Sequence, residues 1–277
     1  MRILIIQENG RHDKNRRFRE CFSLQRAFVQ LGHECTVWGL GHDTYEDSLD
    51  FNSFDVIINL ENYDQTGWVP DLSMVDCKKY LWSIDAHVRG LPPYREEFVR
   101  GKYTKILQST LQLVDEDSTW FPNAYDDTLV KPLDIEKKHD VGFCGNINNR
   151  GRLLSLLDNN FKLQKDIFVI GEDMVSAINS YKVHFNCNIA VDVNYRSFET
   201  IGCGTALVTN YNEAYDRLGF IDKHNCMFYS DEKELLTAIS LLLSDEDLRN
   251  SIEREGLKLA ENHTYKKRAE YFIKEIL

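Results

Sequence analysis

The sequence predicts an α/β protein built from two Rossmann-like, doubly wound domains. Short apolar runs such as Ile3-Leu-Ile-Ile6 and Val56-Ile-Ile58 alternate with stretches of helical period, the pattern of parallel strands joined by crossover helices. The alternation lapses from Asn123 to Lys138, a stretch that holds Pro132 and follows Pro122, and restarts at Asp140-Val-Gly-Phe-Cys144. A chain of 277 residues is long enough for two cores of ordinary size. The expected domains are residues 1–134 and 139–262.

Taken in order, Arg2–Gln7 reads as the first strand and Glu8-Asn-Gly10 as its break. Arg16–Leu31 reads as a helix, with Phe18, Phe22, Leu24, Ala27, Phe28 and Leu31 on its buried side and Gly32 as its cap. Strands are expected at Glu34–Trp38, Asp55–Leu60 and Lys79–Ile84. In the second domain the expected strands are Asp140–Cys144, Asp166–Ile170, Lys182–Cys187 and Thr205–Thr209. Helices are expected at Arg150–Leu157, just after Gly171, and at Arg196–Ile201, where Gly202-Cys-Gly204 stops the turn. Asp231 and Asp245 are suited to capping two long helices, and Thr264–Leu277 has one apolar face.

Composition narrows the classes of function. Hydrophobic content of 43% and charged content of 28% are those of an ordinary globular chain. No apolar run nears the ~20 residues that span a bilayer, so no membrane partner is expected. The opening Met1-Arg-Ile-Leu-Ile-Ile6 is too short for a signal peptide and reads as a strand. Seven cysteines, scattered and without a Cys-x-x-Cys pair, argue against a disulfide framework or a zinc site and lead us to expect a cytoplasmic protein. A net charge of −11 disfavours broad binding to nucleic acid. Against that background Arg11, Lys14, Arg16, Arg17 and Arg19 form a basic cluster beside a lone Asp13, either a solvated helix start or a local anion site.

The candidate chemistry sits where strands end, because open α/β sheets bind ligands beyond the carboxyl ends of their strands. After the first strand there is no Gly-x-Gly-x-x-Gly, so a dinucleotide site is not expected. Asn9, Gly10 and His12 are there instead, and with Arg16 and Arg17 they are candidates for the acceptor side. Asp85 and His87 follow another strand, and a carboxylate or imidazole there can act as a general base. In the second half Gly145-Asn146 feeds a helix start with Arg150, an anion cradle with a cation to bond phosphate. Arg196 and Glu199, three apart, fall on one helical face, and the pair suits a nucleotide diphosphate.

Three stretches in order, Trp120-Phe-Pro-Asn-Ala-Tyr-Asp126 with Asp140-Val-Gly-Phe-Cys-Gly-Asn146, Arg196-Ser-Phe-Glu199 with Gly202-Cys-Gly-Thr-Ala-Leu-Val-Thr209, and His263-Thr-Tyr-Lys-Lys-Arg268, resemble the C-terminal half of GT-B glycosyltransferases. The likeness is closest to the CgeB-like branch of the group 1 enzymes and runs from about Trp120 to the end of the chain. The resemblance implies two domains facing a cleft, with residues 263–277 as a closing helix that crosses back to the first domain. It implies a nucleotide-sugar donor, expected to be UDP-linked, held by Arg150, Arg196, Glu199, Gly204 and Thr205, and an acceptor glycan, protein or modified DNA base. It implies a metal-independent reaction without a cofactor, since arginines carry the positive charge and no Asp-x-Asp between strand and loop is read. A second glutamate of the retaining pattern would fall at Val191, where none stands, with only Asp192 close by. A sugar-nucleotide epimerase and a non-catalytic binding module are the alternatives.

Overall fold

A computed structural model of the chain describes residues 1–10, 12–45, 48–61 and 67–277. It divides into two compact units, Met1–Pro122 with Tyr265–Leu277, and Asn123–Thr264.

The first unit is a parallel sheet of β1 (Arg2–Ile6), β2 (Glu34–Trp38), β3 (Val56–Leu60), β4 (Lys78–Ser83), β5 (Lys105–Gln108) and β6 (Ser118–Trp120), in the order β2-β1-β3-β4-β5-β6. The order reverses between β1 and β3, which makes that gap the topological switch point. Ile3 to Ile6 and Ile57, Ile58 and Leu60 have no exposed surface, as strands covered on both faces require. Helices α1 (Glu20–Gln30), α2 (Ala86–Arg89) and α3 (Pro92–Arg100) follow in the chain, the last opened by Pro92-Pro93, whose missing N–H groups cost nothing in a first turn.

The expected helix Arg16–Leu31 is broken. Asp13–Phe18 forms a 3₁₀ turn, and Arg19 is extended at φ −67° and ψ 152° before α1 begins. Its guanidinium bonds Glu8 at 2.7 Å, an ion pair with both side chains mostly buried, and that contact outweighs helical continuity.

The second unit carries β7 (His139–Gly145), β8 (Leu163–Ile167), β9 (Tyr181–Phe185), β10 (Ala206–Asn210) and β11 (Met227–Tyr229), all parallel, in the order β11-β10-β9-β7-β8. Its switch point lies between β7 and β9. Its helices are α4 (Gly151–Asn160), α5 (Glu172–Asn179), α6 (Tyr195–Gly202), α7 (Glu213–Arg217), α8 (Glu232–Ser244) and α9 (Glu246–Ala260). Asp231 and Asp245 cap α8 and α9 through the N–H groups of Glu234 and Leu248. The strand expected at Asp166–Ile170 lies three residues earlier, because Leu163 to Ile167 pair in register with Val141 to Gly145.

Residues 123–138, read from sequence as a connection, run along the second unit. Asn123 donates to the Val193 carbonyl at 3.2 Å, and the Leu133 N–H to Asn179 at 2.8 Å. The last helix, α10 (Tyr265–Tyr271), continued by a π turn at Phe272–Ile276, belongs to the first unit. Among the described residues no helix is long and apolar enough to cross a membrane.

Candidate active site

Around the second unit's switch point the peptide of Cys144, next to last in β7, is held from both sides. Its N–H donates to Nε2 of His184 on β9 at 3.3 Å, and its carbonyl accepts from Nε of Arg196 on α6 at 2.9 Å. Since Nε2 accepts, the proton of His184 is on Nδ1, which faces the Thr200 hydroxyl at 2.5 Å. Thr200 donates in turn to the Arg196 carbonyl. The ring ties β7, β9 and α6 together and fixes where the Arg196 guanidinium stands. His184 is fully buried, and burial, then the charge of Arg196, lowers its pKa to about 3.

Arg196 also pairs with Glu199, one helical turn on, and the two side chains are 23% and 13% exposed. Burial is the largest influence and works against the arginine's charge, but the neighbouring groups, Glu199 first among them, together outweigh it and the pKa is raised. Arg150 stands before α4, where Nε donates to the Cys187 carbonyl at 2.8 Å and Nη1 to the Asn146 carbonyl at 3.0 Å. Burial lowers its pKa, and the charge of Arg196 is near enough to add to the effect. Two guanidiniums therefore share the carboxyl ends of β7 and β9, the place where a doubly wound sheet takes an anion.

The surrounding loops are built rigidly. Asn188 donates to the hydroxyl of Tyr215 at 2.8 Å and accepts the N–H of Asn194, the residue before α6, at 3.1 Å. Asn186 bonds Ser197, at the start of α6, and Thr209 on β10. The Asn146 side chain accepts from the Asn148 N–H, closing the turn after β7. Phe168, just past β8, was missed in the sequence. It has φ +57°, is 70% exposed, and its N–H bonds the Gly145 carbonyl at 3.3 Å. A bulky residue in left-handed backbone is a strained outlier of the kind that collects at functional sites.

Gly204 and Thr205 do not join this group. They form the turn from α6 into β10, at the opposite end of that strand from Asn210. Thr205 is buried, and its hydroxyl donates to the Ile178 carbonyl at 2.9 Å. Their role is to end the helix and enter the strand.

In the first unit Asn9 is buried and donates to the Gly41 carbonyl at 2.7 Å. Gly10 has φ +75°, and a Cβ there would meet Nη1 of Arg19 at 2.3 Å, so only glycine fits. His12, Arg16 and Arg17 are exposed, with Arg16 paired to Asp13 at 2.8 Å. Arg11 lies outside the described residues. The basic cluster is smaller than the sequence suggests, since Arg19 is committed to Glu8. Asp85 precedes α2 and is half-buried, and Nδ1 of His87 stands 3.3 Å from the Thr110 hydroxyl. Asp115-Glu-Asp117 is an Asp-x-Asp before β6 that the reading passed over, and both its carboxylates take Arg95.

Sequence reasoning also missed Glu61, immediately after β3. One of its oxygens, Oε2, accepts the N–H groups of Ile84 and Asp85 at 2.6 and 2.7 Å and the hydroxyl of Tyr94 at 2.6 Å. It fixes the turn that carries Asp85. Burial raises its pKa. An acid at the end of an apolar strand is the signal that could have found it.

No curated protein matches the sequence. Among solved structures, the β-glucosyltransferase of T4 phage is similar over 99% of each chain at 15% identity, with a TM-score of 0.68. Sucrose-phosphate synthase from Thermosynechococcus elongatus is similar over 99% of this chain and 97% of its own at 10% identity, with a TM-score of 0.66. An α-glucosyltransferase in complex with UDP and DNA containing a HMU base is similar over 95% of each chain at 12% identity, with a TM-score of 0.64. The family model described as glycosyl transferase-like matches residues 129–274, a span that takes in β7 to β11 and every arginine and acid of the second unit's switch point. With more than half its length matched in this way and the two-sheet GT-B fold of those enzymes, the chain belongs to the glycosyl transferase-like family.

Proposed function

We propose that the protein transfers a sugar from a UDP-linked donor to an acceptor hydroxyl without a metal. The observation that carries this is the pair Arg150 and Arg196, held by the carbonyls of Cys187 and Cys144 at the ends of the two strands that flank a switch point. The two cations stabilise a nucleotide diphosphate as leaving group, the charge a metal would otherwise supply. Glu199 accepts ribose hydroxyls, and the exposed ring of Phe168 offers the base a stacking face. In the first unit Asp85 takes the acceptor proton if configuration inverts, as the acceptor oxygen bonds the anomeric carbon and the bond to phosphate breaks. If configuration is retained, the donor's phosphate oxygens take that proton. UDP-glucose is the substrate bound by the T4 phage enzyme, and DNA is the partner bound by the α-glucosyltransferase, which supports an anionic acceptor such as modified DNA over a neutral one. The seven free cysteines fit a reducing, cytoplasmic compartment.

Calorimetry with UDP and uridine tests the donor site. Arg150→Ala and Arg196→Ala each weaken UDP by about 2–3 kcal/mol and uridine far less, while Glu199→Ala weakens both by about 2–4 kcal/mol. Equal losses for UDP and uridine in the arginine variants would make those residues structural. EDTA leaves turnover unchanged, because fixed guanidiniums do the electrostatic work. A rate that collapses on chelation and returns with Mn²⁺ or Mg²⁺ would refute the metal-free mechanism.

A further inference from the structure

We propose that Tyr215, on α7, is a positioning residue whose hydroxyl sets the spacing of Arg150 and Arg196 and so makes the site prefer a diphosphate to a monophosphate; this rests on the donor site proposed above. The side chain is fully buried, and its ring packs on Phe220 and Phe228 at 5.0 and 5.2 Å between centres. The hydroxyl accepts from Nδ2 of Asn188 at 2.8 Å and lies 2.7 Å from the Ser197 hydroxyl and 3.0 Å from that of Thr209. A phenol has one proton and two lone pairs, so three partners fill it.

Two of those partners adjoin the arginines. Asn188 follows Cys187, whose carbonyl holds Nε of Arg150 at 2.8 Å, and the N–H of that same peptide donates to Asn210 at 2.7 Å. Ser197 follows Arg196 on α6. One oxygen thus joins the anchor of Arg150 to the helix that carries Arg196, and Thr209 ties that oxygen to β10. Such a tie has a load to bear. Burial first, and then the charge of Arg196, lower the pKa of Arg150, so the two guanidiniums repel each other across the gap. A diphosphate engages both cations at a fixed separation, whereas a monophosphate is served by one.

Calorimetry with UDP, UMP and uridine reads the spacing. Tyr215→Phe keeps the packed ring and removes one oxygen. UDP then binds about tenfold more weakly, UMP much less so, and uridine as it does to wild type. In the Arg150→Ala background the same change weakens UDP only about twofold, because no pair is left to space. Thr205→Val is the control for stability alone. It removes a buried hydroxyl of the same unit, which bonds the Ile178 carbonyl at 2.9 Å, and it lowers the melting temperature without altering the affinity for any of the three ligands. If Tyr215→Phe does not fold, Ser197→Ala cuts the tie to the helix of Arg196 and gives the same ranking of losses. Wild-type protein that does not bind UDP overturns the donor site itself. Wild-type protein that binds UDP, with the three ligands weakened alike or not at all in these variants, or with additive losses in the double variant, overturns the role of Tyr215.

Discussion

Single residues hold this protein's candidate site in place by accepting and donating within the backbone rather than by adding charge. His184 is the clearest. It is neutral, buried and bonded on both nitrogens, with a folded pKa of about 3 against an ordinary 6.5. Between those values the unfolded chain binds a proton that the folded chain refuses, so stability falls as pH drops from about 6.5 toward 3. The loss across that window is on the order of a few kcal/mol. His184→Gln keeps a donor and an acceptor but cannot titrate. Thermal unfolding followed from neutral to acid pH shows a shallower decline in that variant than in wild type, and equal slopes would acquit His184. None of this was legible beforehand. A histidine inside Lys182-Val-His-Phe reads as one more buried strand residue, because its partners, the peptide of Cys144 and the hydroxyl of Thr200, are distant in sequence. Glu61 was hidden for the same reason, its donors lying on the turn after β4 and on α3. The adjacency of Arg196 and Glu199 was legible, since helical spacing alone sets it.

At the scale of elements, what the sequence conveyed was local and what it withheld was a choice between competing contacts. The end of α6 follows from its own residues. Thr205 N–H returns to the Thr200 carbonyl and Gly204 N–H to that of Ile201, with Gly204 at φ +66°, the Schellman arrangement that a glycine at this position makes easy. Gly202 answers to something else. A Cβ there would stand 2.6 Å from the Tyr125 ring, so the helix can lie against that tyrosine only without a side chain. The start of α1 failed to be read because helical period and charge continued through Arg16 and Arg19, while Glu8, far back on the chain, claimed the arginine. Six further strands and α-helices escaped. Strands β5, β6 and β11 and helices α2 and α7 have five residues or fewer, too short for a period to register, and α3 opens on two prolines that resemble a break.

At the scale of the molecule, the two-sheet α/β architecture was the most legible feature, since two successive series of buried runs admit few other solutions. The first unit is assembled from both ends of the chain, and its completion rests on the last residues. Phe272, fully buried, lies 5.9 Å from Phe28 of α1, 4.8 Å from Tyr80 of β4 and 6.5 Å from Phe121, ring centre to ring centre. Nε of Arg268 donates to the Pro122 carbonyl at 3.0 Å, at the point where the first unit's leading segment ends. Removing a ring packed against three others forfeits its transfer energy and leaves a cavity, so Phe272→Ala destabilises this unit by about 3–5 kcal/mol. The loss is confined to one unit because every ring that Phe272 touches belongs to it. Native-state hydrogen exchange reads this out by position. Amides of Glu20–Gln30 and Lys78–Ser83 lose protection in the variant, whereas those of Tyr181–Phe185 and Ala206–Asn210 keep theirs, because local stability follows local contacts. Loss of protection spread evenly over both sets would mean that the closing helix stabilises the chain as one cooperative whole.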